Sequence, residues 1–362
     1  MMTDSHRYCV IMCGGIGSRF WPYSRTDMPK QFIDFFGTGQ SLLQMTYERM
    51  LPMVEPDHIF IVTNRRYRDI IHAQLPGHPE SRVLYEPDRR NTAPCIAWAA
   101  HHIAALDSEA VMMVTPCDHL ITKEKIFEEE VNKGFNFVEE NPVLLTIGIT
   151  PTRPETGYGY IQVGSKVEPG GICKVKTFTE KPDIELAKVF VESGEFLWNA
   201  GIFLWQAEAI NEAIRRYLPD LSREFDHGVS KFGTPREMEF IDSRFPACPN
   251  ISIDFGVMEK ADNVYVQRGN FGWSDIGTWG SLYASSPKTR EGNVAQNCLS
   301  LTYNSSGNIF AVEKNKLVVV SDLHGYIIAE SEDVLLICPR SEEQRLRQFV
   351  NDVQLRFDDK YL

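Results

Sequence analysis

Tyr8-Cys9-Val10-Ile11-Met12-Cys13-Gly14-Gly15-Ile16-Gly17-Ser18-Arg19-Phe20-Trp21-Pro22 reads as a short apolar strand that runs directly into a glycine-rich loop. Glycines let backbone N–H groups wrap an oxyanion, and the strand-to-loop junction of an open α/β sheet is where ligands usually sit. An ordinary glycine turn is the plain alternative. Two familiar phosphate loops fail on inspection: a dinucleotide fingerprint begun at Gly15 needs glycine where Phe20 stands, and a Walker loop needs Gly-Lys followed by Ser or Thr. What remains is a loop containing Gly14, Gly15 and Gly17, with one cation at Arg19 and a second at Lys30 in Pro29-Lys30-Gln31. Two cations facing such a loop suit a polyphosphate, whose charge must be neutralised as it shifts during transfer.

Outward from this stretch, β-branched runs alternate with amphipathic ones: His58–Val62, Tyr67–Leu75, Arg82–Tyr85, Ala93–Leu106, Val111–Val114, Ile126–Glu139 and Val143–Ile147. The rhythm predicts an α/β fold, a mostly parallel sheet flanked by helices. Beyond Pro151, strand-like Tyr160–Val163, Ile172–Phe178 and Gly201–Trp205 interleave with helical Ile184–Ser193 and Ala207–Tyr217, so the same sheet would continue as a mixed one. After Pro287, short runs punctuated by Gly, Asn and Ser suggest a small β module, a few solenoid coils or a small sandwich, with a closing helix over 342–355. The expected domains are therefore 1–287 and 288–362.

With 362 residues, 43% of them hydrophobic, the chain can bury a large core. Its formal net charge of -12 argues against nucleic acid and anionic membrane surfaces as partners, so an anionic ligand must meet a local cluster of cations. The first apolar run is too short for a signal-peptide core or a membrane span. Eight scattered cysteines, with no C-x-x-C pair, read as reduced thiols of a cytoplasmic protein.

Gly14-Gly15-Ile16-Gly17-Ser18-Arg19 together with Pro29-Lys30-Gln31 resembles the signature of the sugar-nucleotide pyrophosphorylases, and the glutamine after the lysine resembles the mannose-1-phosphate guanylyltransferase branch. Matching residues recur from about 8 to 338. The resemblance implies a Rossmann-like nucleotidyltransferase domain that joins GTP to mannose 1-phosphate and releases pyrophosphate. Ser18 and the loop glycines would then bind nucleotide, and Arg19 and Lys30 would be catalytic cations. A nucleotidyltransferase for another sugar 1-phosphate and a silent nucleotide-sugar sensor are the competing readings.

Four further motifs extend the resemblance. Arg90-Asn91-Thr92-Ala93-Pro94 has a plain reading as a helix N-cap, and it also resembles a purine-recognition loop, which makes Arg90, Asn91 and Thr92 nucleotide candidates. Asp118, just past the buried strand Val111–Val114, could be merely a turn former. The resemblance makes it a ligand of Mg2+, which takes few protein carboxylates, with Asp275 of Gly272–Trp279 as the second. Thr156–Ile161, Phe178-Thr179-Glu180-Lys181-Pro182 and Trp198–Phe203 resemble the sugar-facing motifs. They imply Gly157, Glu180 and Asn199 as sugar contacts and Lys181 as a cation on the sugar phosphate. Ile251-Ser252-Ile253-Asp254 also matches, with no role for Asp254. A homodimer is compatible with all of this.

Overall fold

The computed structural model describes residues 6–15 and 17–362, apart from the side chains of Ser18 and Pro169. The chain packs as two compact units. The first comprises Met1–Gly14, Tyr47–Pro116 and Ile121–Trp273, and the second comprises Gly15–Thr46, Cys117–Leu120 and Ser274–Leu362.

The expected alternation appears in the first unit as β1 (Arg7–Cys13), α1 (Leu42–Met50, which begins in the second unit), β2 (Ile59–Asn64), α2 (Arg68–Gln74), β3 (Val83–Glu86), α3 (Thr92–Leu106) and β4 (Val111–Pro116). After the two-residue strand β5 (Leu120–Ile121) come α4 (Glu124–Glu140), β6 (Leu144–Ile149), β7 (Tyr160–Val167), β8 (Cys173–Thr179), α5 (Ile184–Ser193) and β9 (Phe196–Gln206). Helices α6 (Ala207–Tyr217), α7 (Pro219–Asp226) and α8 (Glu237–Arg244) follow, then a π-turn at Asp254–Met258 and β10 (Val264–Gly269). Nine of these strands form one sheet in the order β3-β2-β1-β4-β9-β6-β10-β8-β7. The half from β3 to β4 is parallel, and β9 runs antiparallel to both β4 and β6. The mixed α/β sheet is thus the one the pattern predicted.

The parallel strands are buried on both faces, so β2 and β4 read as unbroken apolar runs. Helix α3 is also buried on most sides, from Ala93 through Ile103. Asn91 caps it, with Oδ1 accepting from Thr92 N at 2.9 Å. Helix α5 starts on Asp183, which caps Leu186 N at 2.8 Å, and stops at left-handed Gly194.

In the second unit, β11 (Trp273–Ser274) leads to α9 (Trp279–Ser285), opened by a capping box between Thr278 and Ser281. The strands β12 (Val294–Gln296), β13 (Leu299–Tyr303), β14 (Ile309–Ala311), β15 (Leu317–Ser321), β16 (Tyr326–Ser331) and β17 (Val334–Pro339) follow, and α10 (Leu346–Phe357) comes last. Strands β12, β14 and β16 stack in parallel on one side and β13 and β15 on another, so of the two expected forms the coiled solenoid is present. Buried Asn293 and Asn308 stack at the corner: Asn293 Oδ1 accepts from Asn308 N at 2.9 Å, and Asn308 Oδ1 accepts from Tyr326 N at 2.9 Å.

Where composition suggests a division at residue 287, packing groups the residues by a shared core. Phe20, Trp21, Phe35 and Leu42 pack with Ile276, Trp279, Ile309, Ile327 and Leu346. The aromatic residues that follow the glycine loop thereby draw 15–46 into the second unit. All eight cysteines are free thiols, and seven are buried. Among the described residues no helix is long and apolar enough to cross a membrane.

Candidate active site

The second unit holds a cluster of charge around Lys30. Gly17 is left-handed (φ +65°), and a Cβ on it would stand 2.6 Å from Lys30 Cβ, so both conformation and close approach require glycine. Gln31 Nε2 donates to Gly15 O at 2.9 Å and fixes the loop backbone. Lys30 Nζ donates to Asp118 Oδ2 at 3.0 Å, Asp118 O at 3.1 Å and Asp275 O at 2.7 Å. An ammonium has three N–H bonds, and all three are engaged. The sequence predicts Lys30 as a cation free for phosphate; it is instead buried and ties the two aspartates together. Arg19 is half-buried and has no hydrogen-bond or ion-pair partner among the described residues. The Ser18 side chain lies outside the described residues.

Burial raises the Asp118 carboxyl, but Lys30 and then His119 outweigh it, so the group sits below the ordinary aspartate value. Asp275 Oδ1 accepts from Gly277 N at 3.0 Å. Lys30 thus holds the Asp118 carboxylate and the Asp275 backbone oxygen, and the two aspartates so joined are a donor set that fits magnesium, which takes one or two protein carboxylates and completes its shell with water and substrate phosphate.

In the first unit, Gly14 lies against Glu86 at the end of β3, with Glu86 Oε2 3.5 Å from where a Cβ on Gly14 would stand. Glu86 is only 6% exposed, and its carboxyl makes no hydrogen bond or ion pair among the described residues. Burial pushes it up to about 8, and Arg89 only partly opposes that. The three loop candidates beyond it have different partners. Arg90 pairs with Asp88 at 2.8 Å and donates to Pro246 O at 2.5 Å, Asn91 (φ 65°) caps α3, and Thr92 Oγ1 accepts from Ile253 N at 2.9 Å. The plain N-cap reading thus accounts for the Asn91 oxygen, while Thr92 joins α3 to the segment before the π-turn.

The sugar candidates gather at the ends of β8 and β9 in the same unit. Glu180 pairs with Lys181, and Glu180 N donates to Glu259 Oε1 at 2.9 Å. Lys181 is left-handed (φ 48°) and more than half exposed. Asn199 N donates to Gly159 O at 2.8 Å, and a Cβ on Gly159 would collide with Glu180 Oε2. It is therefore Gly159, rather than Gly157, that stands against Glu180 and Asn199. Tyr158 meets Trp198 and Trp273 edge-on, at 5.1 and 5.3 Å between ring centroids.

Three residues given no role by sequence emerge here: Glu86, and two that hold the Asn199 amide, Thr146 with Oγ1 3.1 Å from its Oδ1 and Asp254 with Oδ1 accepting from its Nδ2 at 2.8 Å. A glutamate ending a buried strand was a visible signal for the first. Nothing in the sequence marks Thr146, one hydroxyl inside an apolar strand.

With this geometry in place, comparison with known proteins gives a consistent picture. The nucleotidyl transferase family model matches residues 8–292. The putative mannose-1-phosphate guanylyltransferase of Vibrio cholerae serotype O1 is 34% identical over 352 residues, 95% of this chain and 74% of the relative. The mannose-1-phosphate guanylyltransferase of Escherichia coli K12 is 35% identical over 365 residues, 98% of this chain and 74% of the relative. A crystal structure from Thermus thermophilus, described as a mannose-1-phosphate geranyltransferase, superposes with a TM-score of 0.85 at 29% identity, covering 96% of this chain and 99% of that one. A family match over most of the length, joined by relatives of this identity and coverage, makes the chain a member of the nucleotidyl transferases and, among them, of the mannose-1-phosphate guanylyltransferases.

Proposed function

We propose that this chain transfers GMP from GTP to mannose 1-phosphate, forming GDP-mannose and pyrophosphate. The observation that carries the reading is the convergence of Asp118 and Asp275 on Lys30 beside the glycine loop. An oxygen of the sugar phosphate forms a bond to the α-phosphorus, and the bond from that phosphorus to the bridging β-phosphate oxygen breaks. The attacking phosphate is already anionic, so no general base is needed and catalysis rests on positioning and charge neutralisation.

Asp118 and Asp275 would hold Mg2+, which supplies neutralisation of phosphate charge when bound. Lys30 keeps the two aspartates in register. Arg19, whose guanidinium has no partner among the described residues, is the loop cation for phosphate oxygens, and Lys181 is the cation for the sugar phosphate. Loop N–H groups of Gly14, Gly15, Gly17 and Ser18 cradle the phosphates. Arg90, Asn91 and Thr92 border the base and ribose. The Glu86 carboxyl, beside Gly14, would favour guanine, whose edge offers two adjacent N–H donors where adenine offers a bare ring nitrogen. Glu180 and Asn199 take sugar hydroxyls, with Gly157 on the loop before them.

Pyrophosphate release is measured with Mg2+ and GTP, ATP, UTP or dTTP, each against mannose, glucose and fucose 1-phosphates. Turnover confined to GTP with mannose 1-phosphate, and lost in Asp118→Asn, is the expected result. GTP turnover with another sugar overturns the substrate assignment, and tight binding without turnover overturns the enzymatic one.

A further inference from the structure

Asn199 is held on three sides. Its Oδ1 accepts from Thr146 Oγ1 at 3.1 Å and from Gly201 N at 3.1 Å, and its Nδ2 donates to Asp254 Oδ1 at 2.8 Å. The amide oxygen is thus engaged by Gly201 N and the Thr146 hydroxyl and one of the two N–H bonds by Asp254, which leaves a single N–H without a partner among the described residues. An amide can rotate end for end, exchanging oxygen for nitrogen, unless its partners forbid it. Gly201 N can only donate, so it demands the oxygen. The Thr146 hydroxyl is less decisive: its one proton is shared between Asn199 Oδ1 and Ile202 O, at 3.1 and 3.2 Å, and its oxygen can also accept. An ionised carboxylate can only accept, so Asp254 is the group that demands the nitrogen.

We propose that Asp254 is a positioning residue for the sugar 1-phosphate: it locks the Asn199 amide so that one N–H, beside the Glu180 carboxylate, is presented to the sugar hydroxyls. The inference rests on the reading of Asn199 and Glu180 as sugar contacts. The π-turn at Asp254–Met258 delivers the carboxylate from a separate element, and Thr92 Oγ1, accepting from Ile253 N, anchors the residue before it. A Cβ on Gly159 would collide with Glu180 Oε2 and come within 3.3 Å of Asn199 Cβ, so the glycine lets acid and amide stand together. The charged groups facing Asp254 are Glu180 and Lys181. Burial and then the Glu180 carboxylate push the Asp254 carboxyl up to about 7. A protonated Asp254 could donate as well as accept and would no longer demand the nitrogen, leaving Gly201 N to orient the amide from the oxygen side alone, so the lock tightens as pH rises through neutrality.

The test is a set of variants read for each substrate separately, because a residue that merely held the fold would move both together. In Asp254→Ala, KM for mannose 1-phosphate should rise about tenfold while KM for GTP stays within about twofold, the size expected when one buried hydrogen-bond partner is lost. Asp254→Asn keeps an acceptor and the side-chain shape; its KM should lie nearer wild type, and the pH dependence of sugar binding between about pH 6 and 8 should flatten. In an Asn199→Ala background, Asp254→Ala should have no further effect, since the two act as one unit. Equal weakening of both substrates, or additive losses in the double variant, overturns the proposal. Binding is also followed by quenching of Trp198 fluorescence, with whichever sugar 1-phosphate the wild-type protein binds. A change of preferred sugar in the wild type would then count against the proposed substrate, whereas the ratio of variant to wild type reports on Asp254 alone. Should Asp254→Ala fail to fold, Asp254→Asn and Asp254→Ser, whose hydroxyl can donate as well as accept, carry the same comparison.

Discussion

Two sets of acids in this protein are handled in opposite ways. Asp118 has Lys30 at 3.0 Å and lies below the ordinary aspartate range. Glu86 and Asp254 form no ion pair among the described residues, and burial, only partly opposed by Arg89 and Lys181, lifts them to about 8 and about 7. An acid paired with a cation stays ionised and is ready to meet further positive charge, so the cluster of Lys30, Asp118 and Asp275 is built for electrostatics. An acid kept without a cation gains most from a ligand that brings N–H or O–H donors. On the proposed function Glu86 would serve recognition of the nucleotide directly, and Asp254 recognition of the sugar through Asn199.

The sharpest way to break this comparison is Lys30→Met, which preserves volume and removes the ammonium. Asp118 and the Asp275 backbone oxygen lose their shared donor, and the carboxylates are no longer held in register. Turnover should fall by about a hundredfold or more, the scale of losing one preorganised charge-stabilising group. Arg19→Ala should also lower turnover but leave the Lys30 cluster assembled, as thermal unfolding near the wild-type temperature would report. If Lys30→Met turned over within tenfold of wild type, the cluster would be a structural ion pair and nothing more.

Glu86→Gln tests the other side, with a smaller effect. An amide in place of the carboxyl can no longer accept two N–H bonds from guanine. Discrimination of GTP from ITP, which lacks the exocyclic amine, should shrink by about tenfold or somewhat more, the scale of one mismatched buried hydrogen bond. The pH dependence has a definite sign. Free Glu86 holds its proton below about pH 8, and guanine's donors favour the ionised form, so KM for GTP in the wild type should fall as pH rises towards 8 and then level off. Glu86→Gln should show no such slope. A slope that persisted in the variant would place the titrating group elsewhere.

Much of this was legible in the sequence because strong local signals agree with the fold. Ile184–Ser193 and Ala207–Tyr217 are helices at the bounds their periodicity predicts, α5 and α6. Both have clear apolar stripes, and α5 also has an Asp cap and a glycine stop. The glycine loop and the strand-end aspartate likewise announce themselves through residue type and position. What was not legible depends on distant partners. Lys30 reads as a free cation until Asp118 and Asp275, 88 and 245 residues away, are seen to consume its hydrogen bonds. Asp254 acquires meaning only through Asn199, 55 residues earlier. The membership of 15–46 in the second unit follows from Phe20 and Trp21 joining the core of α9 and the solenoid. No window of sequence contains those pairings.

Stability against pH is the test that separates the two kinds of acid in a single experiment. Glu86 has a folded value of about 8, above its unfolded value near 4.3, so its contribution to stability is fully present below about pH 4.3 and is lost as pH rises towards 8. The loss is at most about 1.4 kcal/mol per pH unit across that window. Thermal unfolding of Glu86→Gln should therefore match the wild type near pH 4.5 and exceed it increasingly up to pH 8. Asp118 is depressed, so its contribution is present above about pH 3.9 and is lost as pH falls through the folded value. Asp118→Asn should accordingly unfold below the wild type at neutral pH, with the gap closing in acid. Two gaps of opposite sign, opening in the same direction of pH, would establish that one acid is held ionised by its cation and the other is kept protonated by burial. Gaps of the same sign would mean that burial alone governs both, and the division between an electrostatic region and a recognition region would fall.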